Sequence, residues 1–276
     1  MAMEENKYGL NFSYQTFCDY LPRITGASSS PANAPLIKRI LGCYPNSTIY
    51  GVGSHSALLS ISGSLCVKVS YKPGGEHIIH EQEIFRQLES IPCSSISHAL
   101  YCAPDLIFME LYKNGTLHER LSSTKAPRPV LQWMQQLSEA VACLEALGYA
   151  QRELSPRNIM FTEDDNLRLV DFDHSLKLGE DLEVGDYPLC SSHKHGGRHG
   201  TVRWYLWHTR VNLLVHARTC PDMDLEDPVN RISRDCWTGR FDSVAALAAC
   251  IRRLVYSRDL EQKKSLCEQH SKLICG

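Results

Sequence analysis

Between Ser47 and Tyr71 three short β-patterned runs follow one another with only tight turns between them. Thr48 to Tyr50 leads into GVGSHS, Ala57 to Ser62 alternates with Leu59 and Ile61 on one face, and Ser62-Gly63-Ser64 turns the chain again. The third run sets Leu65, Val67 and Val69 on one face and Cys66, Lys68 and Ser70 on the other. Strands this close in sequence leave no room for a crossover, so the runs predict an antiparallel meander.

Residues 76 to 89 read as a helix. Ile84, Phe85 and Leu88 lie three, four and seven positions beyond Glu81, which places that carboxylate on the apolar stripe. A carboxylate there needs a partner or must neutralise. Lys68, on the preceding strand, is the nearest candidate in sequence.

The rest of the chain alternates short elements. Residues 1 to 23 mix aromatic and polar groups, and Thr25 to Pro35 (TGASSSPANAP) carries a linker signal, so residues 1–44 read as an N-terminal extension and linker. Asp105 to Tyr112 reads as an apolar strand, with Lys113-Asn114-Gly115 as a turn. Residues 130 to 147 read as a long helix, with Met134, Leu137, Val141 and Leu144 on its stripe and Gly148 as C-cap. A loop at 150 to 158 precedes a β run, Leu167 to Val170, and Asp171. Residues 179 to 203 read as irregular, 217 to 235 as a surface loop and 241 to 256 as an apolar helix.

Composition removes several classes of function. A chain of 276 residues with 43% hydrophobic and 22% charged residues buries a core without staples. Basic residues number 29 against 31 acidic, with a pI near 6.6, which argues against a general nucleic-acid binder. No apolar run approaches the roughly 20 residues of a membrane helix. The start, MAMEENKY, does not resemble a secretory signal, so a cytoplasmic or nuclear location is expected, with no membrane partner. Twelve cysteines occur without a single CxxC spacing, which reads as buried free thiols in a reducing compartment.

GVGSHS taken alone is an ordinary flexible turn, although a glycine-rich hairpin can lay backbone N–H groups over phosphates. Order along the chain adds more. A glycine hairpin is followed by Lys68 on the third strand, Glu81 on a helix, a strand ending Met109-Glu110-Leu111, then QRELSPRNIM and LVDFDHS. This series resembles the eukaryotic protein-kinase family over roughly residues 45 to 255. Gly51 and Gly53 match its glycine loop, with Ser56 in place of the third glycine, and Lys68 in CVKV matches its strand lysine. Glu81 matches the helix glutamate, Gln151-Arg152-Glu153 through Asn158 its catalytic loop, and Asp171-Phe172-Asp173 its DFG segment.

The resemblance implies an α+β, bilobal protein-kinase-like fold: an antiparallel β-rich N-lobe at 45–112 and a mainly helical, short C-lobe at 113–276. It implies ATP and Mg²⁺ as cofactors. Lys68, held by Glu81, would contact the phosphates, and Gly51 and Gly53 would cover them. Asn158 and Asp171 would hold the metal through oxygen, as Mg²⁺ demands. Backbone groups near Glu110 to Tyr112, Leu111 included, would meet adenine, with Met109 as gatekeeper. Glu153 would orient or deprotonate an acceptor hydroxyl on a protein or a small molecule. Arg157 would supply positive charge near the γ-phosphate.

Departures from the pattern mark alternatives. Glu153 stands where the family has aspartate, and a displacement of about 1 Å can cost on the order of 100-fold in rate. Ser155 replaces a lysine and Gln151 a histidine, and Asp173 replaces the DFG glycine. Gly200 to His208 (GTVRWYLWH) follows the family only at its start, and 34 residues follow Asp242, fewer than the C-lobe helices of a protein kinase require. Besides an enzyme acting on protein, a pseudokinase scaffold and a small-molecule kinase therefore fit. His193 to Gly200 (HKHGGRHG) reads as a flexible basic segment beside Ser191, Ser192 and Thr201, since nothing pre-organises its histidines as ligands.

Overall fold

The computed structural model describes residues 14–25, 32, 34–122, 129–151, 154–178 and 224–275. The chain divides into two compact units, Met1–Thr124 with Ser155–Ser175, and Lys125–Leu154 with Leu176–Gly276.

The first unit opens with helices α1 (Tyr14–Thr25) and α2 (Ala34–Cys43). Strands β1 (Thr48–Val52), β2 (Ser56–Ser60) and β3 (Leu65–Ser70) follow as the expected meander. Helix α3 (Glu76–Leu88) comes next, then β4 (Ala99–Ala103) and β5 (Leu106–Glu110). All five strands form one antiparallel sheet in the order β1-β2-β3-β5-β4. The kinase-like α+β reading thus holds for the sheet and its helix. Strand β4 was not legible in the sequence: Leu100, Tyr101 and Cys102 are all exposed, so this edge strand has no buried stripe to announce it. Asp105, read as strand, is instead the turn between β4 and β5, with φ of 63°.

One face of the sheet carries a wholly apolar core. Val67 and Val69 of β3, Ile49, Val52, Ala57 and Leu59 meet Phe17 and Leu21 of α1 and Ile37 and Ile40 of α2. Residues that read as extension and linker thus contribute to the core of the sheet. On the other face α3 packs against β3, β4 and β5. Gln82 ties it down, its amide donating to the carbonyls of Ala103 (2.9 Å) and Leu106 (3.1 Å).

After β5 comes a short helix, α4 (Leu117–Ser122). The unit then resumes with a 3₁₀ turn, Pro156–Asn158, and a hairpin of β7 (Ile159–Phe161) and β8 (Leu167–Leu169). The 3₁₀ turn starts where it does because the Ser155 hydroxyl accepts from the Arg157 N–H and proline occupies the first helical position.

The second unit contains α5 (Val130–Ala146), the strand β6 (Tyr149–Ala150) and its partner β9 (Leu176–Lys177). It also contains α6 (Pro228–Trp237) and α7 (Val244–Cys275). Helix α6 corrects the reading of 217–235 as loop from Pro228 onward, and 217–223 lie outside the described residues. The Asp227-Pro228 pair that suggests a turn is a helix start, with the Asp227 carboxylate accepting from the Val229 N–H and proline at the first helical position. Helix α7 packs on α5, and the Glu145 carboxylate accepts from the N–H groups of Val244 (3.0 Å) and Ala245 (3.3 Å) at its start. It runs past Tyr256, where the apolar pattern ends, as an exposed polar helix. No helix among the described residues is long and apolar enough to cross a membrane.

Candidate active site

Lys68 occupies the middle of β3, opposite Leu58 on β2 and Ile107 on β5. Its neighbours Val67 and Val69 commit to the apolar core, so strand alternation aims Lys68 at the face where α3 packs. There its ammonium lies 2.6 Å from Glu81, 2.6 Å from Asp171 and 3.3 Å from Asp173. The partner predicted for Glu81 from its place on the stripe is therefore the partner found. Glu81 is 1% exposed, and its second oxygen accepts the Phe172 N–H at 3.0 Å.

The Asp171 end of the site is set by the hairpin β7–β8. Ile159 pairs with Leu169, and the Val170 N–H donates to the Asn158 carbonyl at 3.0 Å. Asn158, fully buried, and Asp171 therefore emerge at the same end of that hairpin. Asp171 adopts φ of 67°, a left-handed conformation that aspartate tolerates better than most side chains. Beyond it Phe172 is fully buried, edge-on to Phe85 of α3 with ring centroids 5.4 Å apart. The phenylalanine anchors the segment to the helix that carries Glu81, so the two aspartates on either side of it are held beside Lys68.

One ammonium faces three carboxylates, an excess of two negative charges. Burial alone would pull the Lys68 ammonium down, but the charges of Asp171, Glu81 and Asp173 outweigh it and hold its pKa well above the ordinary lysine value. Burial pushes the Glu81 carboxyl up to about 7; Lys68 opposes this, and Asp171 and Asp173 add to it. Glu81, Asp171 and Asp173 also lie close enough together to hold a metal ion between them. The buried Asp173 Oδ1 accepts no hydrogen bond from any described residue. Oxygen donors and excess negative charge together fit a hard divalent cation such as Mg²⁺.

The remaining described candidates lie on the sheet, just after β5 and in the 3₁₀ turn. Gly51 pairs with Leu58, which pairs in turn with Lys68, so the three lie in one row across the sheet. Gly53 closes the hairpin, its N–H donating to Ser56 at 2.9 Å and its carbonyl accepting from the Tyr71 hydroxyl at 3.1 Å. A Cβ on Gly53 would sit 3.4 Å from the Ser56 carbonyl, an ordinary contact, so the hairpin does not itself require glycine there.

Met109, 9% exposed, pairs with Cys66 and Ala99 on its two sides, and Glu110 is exposed. The Leu111 N–H is engaged by the Ser64 carbonyl at 2.8 Å. The Tyr112 carbonyl is engaged by the Tyr50 hydroxyl at 3.3 Å. Burial, with Glu119 and Cys66 nearby, raises the Tyr50 pKa and keeps that hydroxyl protonated as a donor. Arg157 lies in the 3₁₀ turn, half-buried. Glu153 and Arg152 lie outside the described residues, as do Ser191, Ser192, the histidine run 193–200 and Thr201.

Two features were not foreseen in the sequence. Asp173 is a partner of Lys68 and not merely a lost glycine. The second is a cluster of His55 from the glycine turn, His77 from α3 and His174 from the segment after Asp173. Burial, then His77 and His174, lower the pKa of His55. These histidines lie far apart in sequence, and no spacing rule connects them.

Residues 65–193 match the protein kinase domain family, a stretch that takes in Lys68, Glu81, Met109, Asn158 and Asp171 and begins after the glycine turn. Over 113 residues the chain is 32% identical to the maternal embryonic leucine zipper kinase of Xenopus tropicalis and 45% identical to that of Xenopus laevis. Each match covers 36% of this chain, and the chain spans 17% of the length of these curated relatives. Domain match, relatives and the helix-backed antiparallel sheet agree, and over residues 65–193 the chain is similar to the protein kinase domain.

Proposed function

We propose that this chain is an ATP-dependent phosphotransferase of the protein-kinase-like type, moving the γ-phosphate to a hydroxyl acceptor, foremost a serine or threonine of a protein. The observation that carries the reading is the convergence of Lys68, Glu81 and Asp171, with both Lys68 distances at 2.6 Å. Separately coded residues on a strand, a helix and a hairpin end meet at one buried point, at a cost in desolvation that a structural core has no need to incur. In this reading Lys68 positions the α- and β-phosphates and Glu81 keeps its ammonium in place. Gly51 and Gly53 let the backbone approach the phosphates, which accounts for glycine at position 53, where the hairpin does not ask for it. Asn158 and Asp171 are the residues that would hold Mg²⁺, which when bound shields phosphate charge. Glu153 orients the acceptor hydroxyl, and a loose transition state asks little of it as a base. Arg157 adds positive charge on the phosphate side.

A nucleotide-responsive scaffold is the second reading. It is favoured by the Tyr50 hydroxyl on the Tyr112 carbonyl, since that carbonyl belongs to the stretch where adenine would bind.

Thermal unfolding with and without Mg-ATP tests the nucleotide site, and phosphate transfer to a basic model protein or to the chain itself tests turnover. Ligand at 100 times its dissociation constant adds about 2.7 kcal/mol, a rise of roughly 5–10 °C for a chain of this size. The rise should disappear in Asp171→Asn, and transfer should disappear in Glu153→Gln while the rise remains. No rise at millimolar Mg-ATP sinks the phosphotransferase reading. A rise without transfer favours the scaffold.

A further inference from the structure

Beside the carboxylate cluster, and independent of any nucleotide, three imidazoles converge from three separate elements. His55 and His77 stack with ring centroids 3.5 Å apart, and His174 stands edge-on to them at 5.5 and 5.0 Å. One ring nitrogen from each lies within 4.8 Å of those of the other two.

Two further observations point to a ligand. The His77 Nδ1 is 3.3 Å from the backbone carbonyl of Asp173, which can only accept, so Nδ1 carries the proton and Nε2 keeps its lone pair. A backbone carbonyl that fixes the tautomer in this way is the usual companion of a metal-ligating histidine. The other is the Asp173 carboxylate, whose side chain is 10% exposed. Its Oδ2 meets Lys68 at 3.3 Å, while the buried Oδ1 takes no hydrogen bond from any described residue and lies 3.9 Å from His174 Nε2. One face of this carboxylate belongs to the lysine cluster and the other is aimed at the histidines.

We propose that His55, His77 and His174, with Asp173 Oδ1 as the fourth donor, form a binding site for a divalent transition metal ion, Zn²⁺ foremost. Three imidazoles and one carboxylate suit Zn²⁺, whereas Mg²⁺ takes oxygen donors. Zn–N bonds of about 2.0–2.1 Å require the donors to close inward and the stacked rings to fan toward a common point. The half-buried side chains of His55, His77 and His174 leave room for that rotation. A bound ion would clamp the glycine turn, the first turn of α3 and the segment after Asp171 to one another.

The test is a Co²⁺ titration of the full chain after chelator treatment, in buffer free of Mg²⁺ and nucleotide. One equivalent of Co²⁺ should develop the visible bands of a four- or five-coordinate site, and Zn²⁺ should displace it. His77→Ala and His174→Ala should each weaken binding by about tenfold or more. His174, with its side chain 30% exposed, is the variant least able to disturb folding, and circular dichroism of the metal-free protein checks each one. Asp173→Asn, which keeps the shape, should change the band positions. The run at 193–200 offers a rival source of imidazole, so His193, His195 and His199 are replaced together by alanine; binding must survive this. Absence of bands in the parent chain, binding indifferent to His174→Ala, or loss of binding in that triple variant would each overturn the proposal.

Discussion

The two faces of the five-stranded sheet are both buried, yet they are made of opposite materials. Under α1 and α2 the face is aliphatic and aromatic, with Phe17 and Ile37 fully buried against Val67 and Val69. Under α3 the same strand presents Lys68, held among Glu81, Asp171 and Asp173. Adjacent residues of β3 thus serve two interiors. The apolar face draws its stability from area removed from water, which needs approximate shape and no particular partner. The charged face is worth little net once desolvation is counted, but it is costly to break, because every removed partner strands a buried charge. The lesson is that one face is built to hold and the other to place atoms.

Removing Lys68 tests that contrast most severely. Lys68→Met leaves three carboxylates without a cation and should lower stability by about 3–5 kcal/mol, read by urea unfolding. It should also remove the Mg-ATP rise. A neutral outcome would mean that the charged face tolerates loss as the apolar one does. On that apolar face, Ile37→Ala should cost about 2–5 kcal/mol by cavity formation while the Mg-ATP rise survives. If the rise vanished in a folded Ile37→Ala protein, the two faces would not be separable.

A smaller effect is expected at the edge of the sheet. Asp105 adopts a left-handed backbone, and its carboxylate accepts the Gly74 N–H at 2.6 Å. Asp105→Ala should cost about 1–2 kcal/mol, and Asp105→Gly, which relieves the backbone but not the lost acceptor, should cost less.

The smallest effect concerns reactivity alone. Burial, with Glu110 nearby, pushes the Cys66 thiol up to about 12, and Cys236 is raised further by burial. Both stay protonated through pH 8 and gain thiolate only as the pH climbs toward those raised values. In the native protein at pH 8, iodoacetamide should label the exposed Cys43 and Cys267 and spare Cys66 and Cys236, as peptide mapping would show. Labelling of Cys66 at the same rate as Cys43 would mean that the charged face opens to solvent.

Much of the fold was legible because it rests on local rules. The meander from Thr48 to Ser70 followed from period-two alternation, α3 from its stripe, and α5 from its own with Gly148 at φ of 82° beyond its end. What escaped had no such signature. Strand β4 faces water with its aromatic and sulfur side chains, and Asp227-Pro228 has the same letters whether it turns the chain or starts a helix. At the site, Lys68 and Glu81 could be paired from the sequence because a carboxylate on an apolar stripe demands a cation. Asp173 could not, because its contact depends on how Phe172 is anchored against Phe85.

The sequence by itself determined which residues would be buried on the meander, α3 and α5, and that a charge lay among them. Burial follows from periodicity, and periodicity is written in neighbouring residues. Only the tertiary structure decided which buried groups would meet. The path from Lys68 to Asp171 crosses 103 residues, and His55, His77 and His174 come together from three separate elements. Such meetings are fixed by sheet order, by the rotation of α3 and by one phenylalanine at the end of a hairpin. None of these is a property of any short stretch of chain, and so the chemistry of the site belongs to the fold.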